Sequence, residues 1–166
     1  MKSAAAFTLV ELLIVVMILG IIGAVAVPMI SGTADAQCEA AARTLVSDLE
    51  WAQSAAWARQ KNVALVFSND LQRYKIVEVE GQNLDDYNSL VALDNPAWPG
   101  RPYEVNLAGD LGLPDVRVSA ASFSGSPYVT FDTLASPDSG GSVILTAGHA
   151  ALTVNVEEIT GLVSVN

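Results

Sequence analysis

Residues 1–32 read MKSAAAFTLVELLIVVMILGIIGAVAVPMISG, and the reading of this stretch decides the rest of the chain. From Leu12 to Ile30 there are 19 residues without a charge. A helix of that length rises about 28 Å, close to the hydrocarbon thickness of a bilayer. The cationic groups on its N-terminal side are Lys2 and the chain amine, and the first charges beyond it are Asp35 and Glu39. That asymmetry places the N-terminus in the cytoplasm and everything after Ser31 outside. Two ordinary explanations fit such a segment: a secretory signal, with an A-x-A site at Ala34 and Ala36, or a plain signal anchor. Neither gives a purpose to Glu11, a carboxylate among Leu9, Val10, Leu12 and Leu13. An acid near the centre of an inserted helix costs about 2.5–3.5 kcal/mol and less near the interface, and intramembrane acids are usually functional, with a partner to be named.

The chain has 166 residues, 51% hydrophobic and 16% charged, which suits one modest folded domain with an appendage and excludes a disordered chain. Its formal net charge is -10, from 8 basic and 18 acidic side chains. An acidic surface of this kind repels phosphate backbones, so no nucleic acid is expected as a partner. Cys38 is the single cysteine, which excludes an internal disulfide. Gln37 is too large and polar for the site before a lipidated cysteine, and Ala41 and Ala42 at helical spacing put Cys38 on a buried helix face.

Phe7-Thr8-Leu9-Val10-Glu11 follows a short leader with a basic residue and opens the apolar helix. The arrangement resembles the processing motif of type IV pilins and type II secretion pseudopilins. The resemblance implies a prepilin peptidase cutting between Ala6 and Phe7 on the cytoplasmic side and methylating the new N-terminus of Phe7. Residues 1–6 are then a leader, and Glu11 becomes the fifth mature residue. In a filament of this family, that carboxylate pairs with the N-terminal amine of a neighbouring subunit, so each buried charge gains a partner. The family nearly always has glycine before the cut; Ala6 is the next smallest residue, which implies slower processing rather than none. Pro28 matches a helix-disrupting proline in many pilins. It lacks an amide hydrogen and crowds the Ala24 carbonyl, so with Gly20, Gly23 and Gly32 nearby the helix is expected to kink or unwind there.

Beyond the apolar segment (7–30), an amphipathic helix is expected over 31–62. Cys38, Ala41, Ala42, Leu45, Leu49, Ala52 and Ala56 form one apolar stripe, opposed by Glu39, Arg43, Ser47, Glu50 and Gln53. Arg59 and Lys61 suit the last turn, Asn62 is the expected stop, and Trp51 and Trp57 read as core anchors. Residues 63–166 read as a β-rich head. Strands are expected at 63–67, 73–80, 103–107, 116–121, 128–132, 142–146, 152–156 and 162–165, separated by Gly/Pro/Ser turns, the first two as a hairpin. Residues 82–102 read as a long surface loop. The fold class is therefore α+β: one long helix packed on an antiparallel β-sheet head.

The helix end Ala42 to Arg59 running into Val63 and Leu65, with Val129-Thr130-Phe131-Asp132, Val143-x-Leu145, Val154-x-Val156 and Thr160-Gly161-x-Val163, resembles the GspH/FimT group of minor pseudopilins and minor pilins. The group implies partners: other pilin or pseudopilin subunits, the peptidase, and an inner-membrane assembly platform with a separate ATPase.

No catalytic constellation competes with this reading. The chain has no G-x-S-x-G, phosphate loop, H-E-x-x-H or paired C-x-x-C, so no enzyme and no cofactor are expected. His149 falls in a turn beside Gly148. Asp132, Asp138, Glu157 and Glu158 lack the spacing of a calcium loop, and no metal is expected. No Lys or Arg follows Arg117, which argues against the DNA capture implied for some members of the group. The expectation is a structural subunit inserted in the inner membrane with a periplasmic head, then assembled into a secretion pseudopilus. Its alternatives are a minor pilin of a type IV pilus, for motility, adhesion or DNA uptake, and a periplasmic enzyme or binding module on a signal anchor.

Overall fold

The computed structural model describes the chain from Thr8 to Asn166, with the side chains of 23–32 left out. The expected leader, the Ala6–Phe7 bond and Lys2 lie outside the described residues. The chain divides into two units, Met1–Thr33 and Ala34–Asn166.

In the first unit the chain enters a helix, α1 (Leu9–Arg59), which extends into the second unit. The backbone stays helical through Gly20, Pro28 and Gly32, so the unwinding expected around the proline does not occur. A proline removes one intrahelical hydrogen bond, and the bonds on either side keep the segment wound. Among the described residues no helix is long and apolar enough to cross a membrane. The apolar segment expected over 7–30 runs into the residues whose side chains lie outside the description.

The second unit is an α+β head. The α1 stripe is buried throughout: Cys38, Ala41, Ala42, Leu45, Leu49, Ala52 and Ala56 are almost inaccessible. Its small side chains let the helix lie close to two four-stranded antiparallel sheets. One has the order β3-β2-β1-β5, from β1 (Val63–Phe67), β2 (Arg73–Glu78), β3 (Glu104–Asn106) and β5 (Tyr128–Phe131). The other has the order β4-β6-β7-β8, from β4 (Val116–Phe123), β6 (Gly141–Ala147), β7 (Ala150–Val156) and β8 (Val163–Val165). A single sheet was the simpler expectation. The chain makes two because β5 leaves β4 to pair with β1, while β4 pairs with β6. Val63, Leu65, Phe67, Tyr74, Ile76, Val129 and Phe131 from the first sheet and Val143, Leu145 and Val154 from the second share one core with the helix.

The helix ends earlier than Asn62. Gln60 takes a left-handed φ of 54°, its amide returns to the Trp57 carbonyl at 3.4 Å, and the Lys61 amide reaches the Ala56 carbonyl at 3.3 Å. This is the Schellman arrangement that closes helix C-termini, with glutamine in the place glycine usually takes. Trp51 behaves as an anchor, its ring centroid 4.6 Å from that of Tyr103. Trp57 does not: its side chain is 63% exposed.

Residues 82–102 are more than a surface loop. Tyr87 and Leu90 are buried with Ala64, Val66 and Val77 on the far side of the first sheet. Lys75 Nζ donates to the Tyr87 and Leu90 carbonyls at 3.2 Å each and sits 4.6 Å from the Tyr87 ring centroid. β1 is consequently buried at every residue. An unbroken apolar run such as Val63–Phe67 is what a strand covered on both faces requires.

Both edges of the first sheet are closed by aspartates. On β5, the Thr130 amide donates to Asp138 Oδ1 at 3.0 Å and its carbonyl accepts from the Asp138 amide at 2.8 Å. On β3, Asn106 does the same with Asp110, at 2.8 and 2.9 Å. In each case one residue replaces the two bonds that a further strand would make.

Candidate assembly surfaces

At the start of α1 the Glu11 amide donates to Thr8 Oγ1 at 3.2 Å, and the Leu12 amide to the Thr8 carbonyl at 3.2 Å. Thr8 is thus the N-cap and Glu11 the third helical residue, the spacing T-x-x-E of a capping box. The sequence reading treated Glu11 as an assembly group and missed this local role, although Thr8 three residues before an acid is a sufficient signal. The cap fixes where the helix starts, and so fixes which turn carries Glu11. Being in the first turn, the carboxylate also lies at the positive end of the helix dipole.

Every large apolar side chain described in this segment, from Leu9 to Ile22, is between 49% and 82% exposed. Among the described residues of this segment no core covers them. An apolar surface encircling a helix in this way calls for lipid or other helices around it. Glu11 itself is exposed. The geometry therefore presents a single carboxylate among uncovered apolar side chains. Pro28, the other residue expected to matter in assembly, is helical in backbone, and its side chain lies outside the described residues.

In the head, the helix is tied to the first sheet by a buried polar group the sequence reading overlooked. Asp48 sits within the stripe, three residues after Leu45 and four before Ala52. It accepts from the Tyr74 hydroxyl at 2.5 Å through Oδ2 and from the Tyr103 hydroxyl at 2.8 Å through Oδ1. Burial raises the Asp48 carboxyl above the usual range, and the two phenol donors pull it partly back. Burial and the adjacent carboxylate hold both phenols well above their ordinary value. An acid at stripe spacing was the sequence signal. A groove of about 450 Å³ opens beside Asp48, walled by Thr44, Ser47, Trp98, Arg101 and Tyr103. Both carboxylate oxygens are already engaged, so the arrangement fastens the helix rather than offering a reactive group.

Cys38 and three of the remaining acids have structural partners. Cys38 is buried, its thiol 3.5 Å from the Leu145 carbonyl, and burial raises its pKa. Asp132 Oδ1 accepts from the Leu134 and Ser136 amides at 2.8 and 2.9 Å, and Asp138 closes β5, so these acids are engaged in turns. The Glu157 carboxylate accepts from the Thr160 hydroxyl. Among the described residues no three His, Cys, Asp or Glu side chains are grouped to hold a metal ion. His149 is exposed in the turn between β6 and β7.

Residues 41–160 match the family model of the type II transport protein GspH, and residues 1–27 match the prokaryotic N-terminal methylation motif. The fold is similar to that of the minor pseudopilin EpsH from the type 2 secretion system of Vibrio cholerae, at 9% identity and a TM-score of 0.58, over 78% of this chain and 96% of that one. It is similar also to the type IV minor pilin FimU of Pseudomonas aeruginosa, at 12% identity and a TM-score of 0.51, over 77% and 91%. At these identities the likeness is one of fold alone. No curated protein sequence matches the chain significantly. The GspH match runs from the buried helix stripe through both sheets to the turn before β8, and on that ground the chain belongs to the type II transport protein GspH family.

Proposed function

We propose that the chain is processed between Ala6 and Phe7, methylated on Phe7, and assembled through its apolar helix into the pseudopilus of a type II secretion system. Family membership makes it a minor pseudopilin, a structural subunit and not an enzyme. The observation that carries the assembly reading is the uncovered apolar helix from Leu9 to Ile22 with Glu11 in its capped first turn. Before assembly the segment 7–30 lies in the inner membrane with the N-terminus cytoplasmic. In the filament it packs against its counterparts. There Glu11 meets the methylated amine of a neighbour, a pairing that sets register because an unpaired buried charge is costly. Residues 31–62 carry the chain from that helix into the head, and 63–166 complete a head that faces the periplasm. The chain carries no phosphate loop, so force comes from a separate ATPase acting through the assembly platform.

The test is the mass of the mature protein in cells with and without a prepilin peptidase. The reading expects a chain starting at N-methylated Phe7 only when the peptidase is present, and recovery of that form in sheared filaments. A mature chain starting at Met1 or Gln37 in peptidase-positive cells sinks it.

A further inference from the structure

The four sheet edges of the head are not treated alike. Those of the first sheet are closed by Asp110 and Asp138. β4 carries a register shift between Val118 and Ala120 and the exposed cation Arg117, two devices that discourage another strand from pairing. β8 carries neither. Residues 159–166, Ile-Thr-Gly-Leu-Val-Ser-Val-Asn, contain no charged side chain and no proline.

The backbone of β8 shows which groups are open. Leu162 accepts from the Glu157 amide at 3.0 Å, and Asn166 exchanges two bonds with Thr153 at 2.8 and 2.9 Å, so the even-numbered residues face β7. Val163 and Val165 alternate with them and turn their amides and carbonyls to the open side. Neither makes a backbone bond there to any described residue.

Exposed apolar side chains are carried by the elements that meet beside this edge. Gln53 Nε2 donates to the Ala135 carbonyl at 2.8 Å and the Thr160 carbonyl at 3.1 Å, drawing the turn after β5 and the turn before β8 onto one face of α1. Trp57 lies one helical turn along that face. With Leu134, Ile159 and Leu162 it gives four large apolar side chains 63–79% exposed on the three elements that meet at Gln53. Single exposed apolar residues need no explanation, but four on elements joined next to an open strand edge offer apolar surface to a partner. Glu157 and Glu158, both exposed, lie at the turn before β8; Glu157 accepts from the Thr160 hydroxyl, and neither has a basic side chain within ion-pair distance among the described residues.

We propose that the β8 edge is a strand-addition site for an extended, lysine- or arginine-bearing apolar segment of another protein. Main-chain bonds to Val163 and Val165 give the pairing, the apolar patch seats alternate side chains, and Glu157 and Glu158 select for positive charge. A second copy of this chain is disfavoured as occupant, because it brings the same two carboxylates. The site is independent of the processing and anchoring of the N-terminus, so its failure leaves that reading untouched.

The test uses the full chain in detergent micelles and a labelled synthetic peptide, Lys-Val-Thr-Val-Lys-Val. Controls are the same peptide N-methylated at alternate amides and its Glu-for-Lys analogue. Saturable binding is expected, at least tenfold weaker for either control, together with at least tenfold slower hydrogen exchange at the Val163 and Val165 amides. Val165→Pro removes an outward amide without touching a bond to β7, and it should abolish binding at an unchanged thermal midpoint. If that variant is destabilised, the surface double variant Glu157→Lys/Glu158→Lys decides, since it should exchange the preference to the Glu peptide. No binding at millimolar peptide overturns the proposal. So does binding without protection of those two amides, or binding indifferent to both variants, or self-association of the chain through this edge.

Discussion

The Tyr103 hydroxyl donates a 2.8 Å hydrogen bond to Asp48, joining the helix to the chain just before β3 across fifty-five residues. With Tyr74 on the other carboxylate oxygen, each oxygen of Asp48 accepts from a phenol. Asp48→Ala leaves two buried phenols without their acceptor. An unsatisfied buried polar group costs about 1–3 kcal/mol, so for the two phenols a loss of about 2–6 kcal/mol is expected in urea unfolding. Asp48→Asn, which keeps the shape, should lose distinctly less.

The same pair predicts a pH dependence. The Asp48 pKa is raised on folding, so the folded state holds its proton to higher pH than the unfolded chain does. Its contribution to stability is therefore largest below the ordinary aspartate pKa and declines as pH rises through the folded value. Unfolding free energies of the native chain and Asp48→Asn, measured from pH 3 upward, should differ by an amount that shifts against the native chain over that window. A difference that is flat with pH, or that moves the other way, removes the burial argument.

Gly161 has φ +67°, and a Cβ there would come within 2.7 Å of Gln53 Nε2 and 3.2 Å of Pro137. Gly161→Ala therefore adds a strained backbone and displaces the amide that holds two turns, for about 2–3 kcal/mol. Gln53→Ala removes the obstacle, so the double variant should be less destabilised than the sum of the single ones. A thermodynamic cycle on the four proteins checks the coupling.

The two tryptophans of α1 should separate cleanly. Trp51→Ala removes a ring packed at a tilt against Tyr103, and about 2–4 kcal/mol of stability is expected to go with it. Trp57→Ala should stay within about 0.5 kcal/mol, as is usual for exposed positions. Acrylamide should quench Trp57 in the folded protein before Trp51.

Thr8→Val removes the side-chain oxygen that caps α1 and should lower helix content at the N-terminus, by about 1 kcal/mol of local stability. Under the assembly reading, Glu11→Ala should abolish incorporation into filaments while leaving membrane insertion intact or improved. Filament recovery unchanged in Glu11→Ala returns the segment to a simple anchor.

Much of this architecture was legible in the chain because its signals are local. The stripe from Cys38 to Ala56 has helical spacing, and strands such as Val63–Phe67 and Tyr128–Phe131 stand between recognisable turns. What could not be read was long-range. Whether β5 pairs with β4 or with β1 depends on a partner sixty residues away, and both choices satisfy the same alternation. Asp48 looked like an interruption of the stripe because its partners, Tyr74 and Tyr103, lie in other elements. Trp57 was misplaced for the same reason: residue type predicts burial, while the helix face and the early stop at Gln60 decide it. The covering role of residues 82–102 was hidden by their polar and proline-rich composition, which Tyr87 and Leu90 override.

Cys38 has a consequence beyond packing. Identical subunits that assemble side by side run a chemical hazard, since a reachable thiol on each would let neighbours lock together covalently. Here the sulfur is enclosed between the helix and β6, its pKa raised by burial, and so it is both hard to reach and poor in the reactive thiolate. Two copies of the chain brought side by side are therefore protected from being joined covalently through this residue by oxidation.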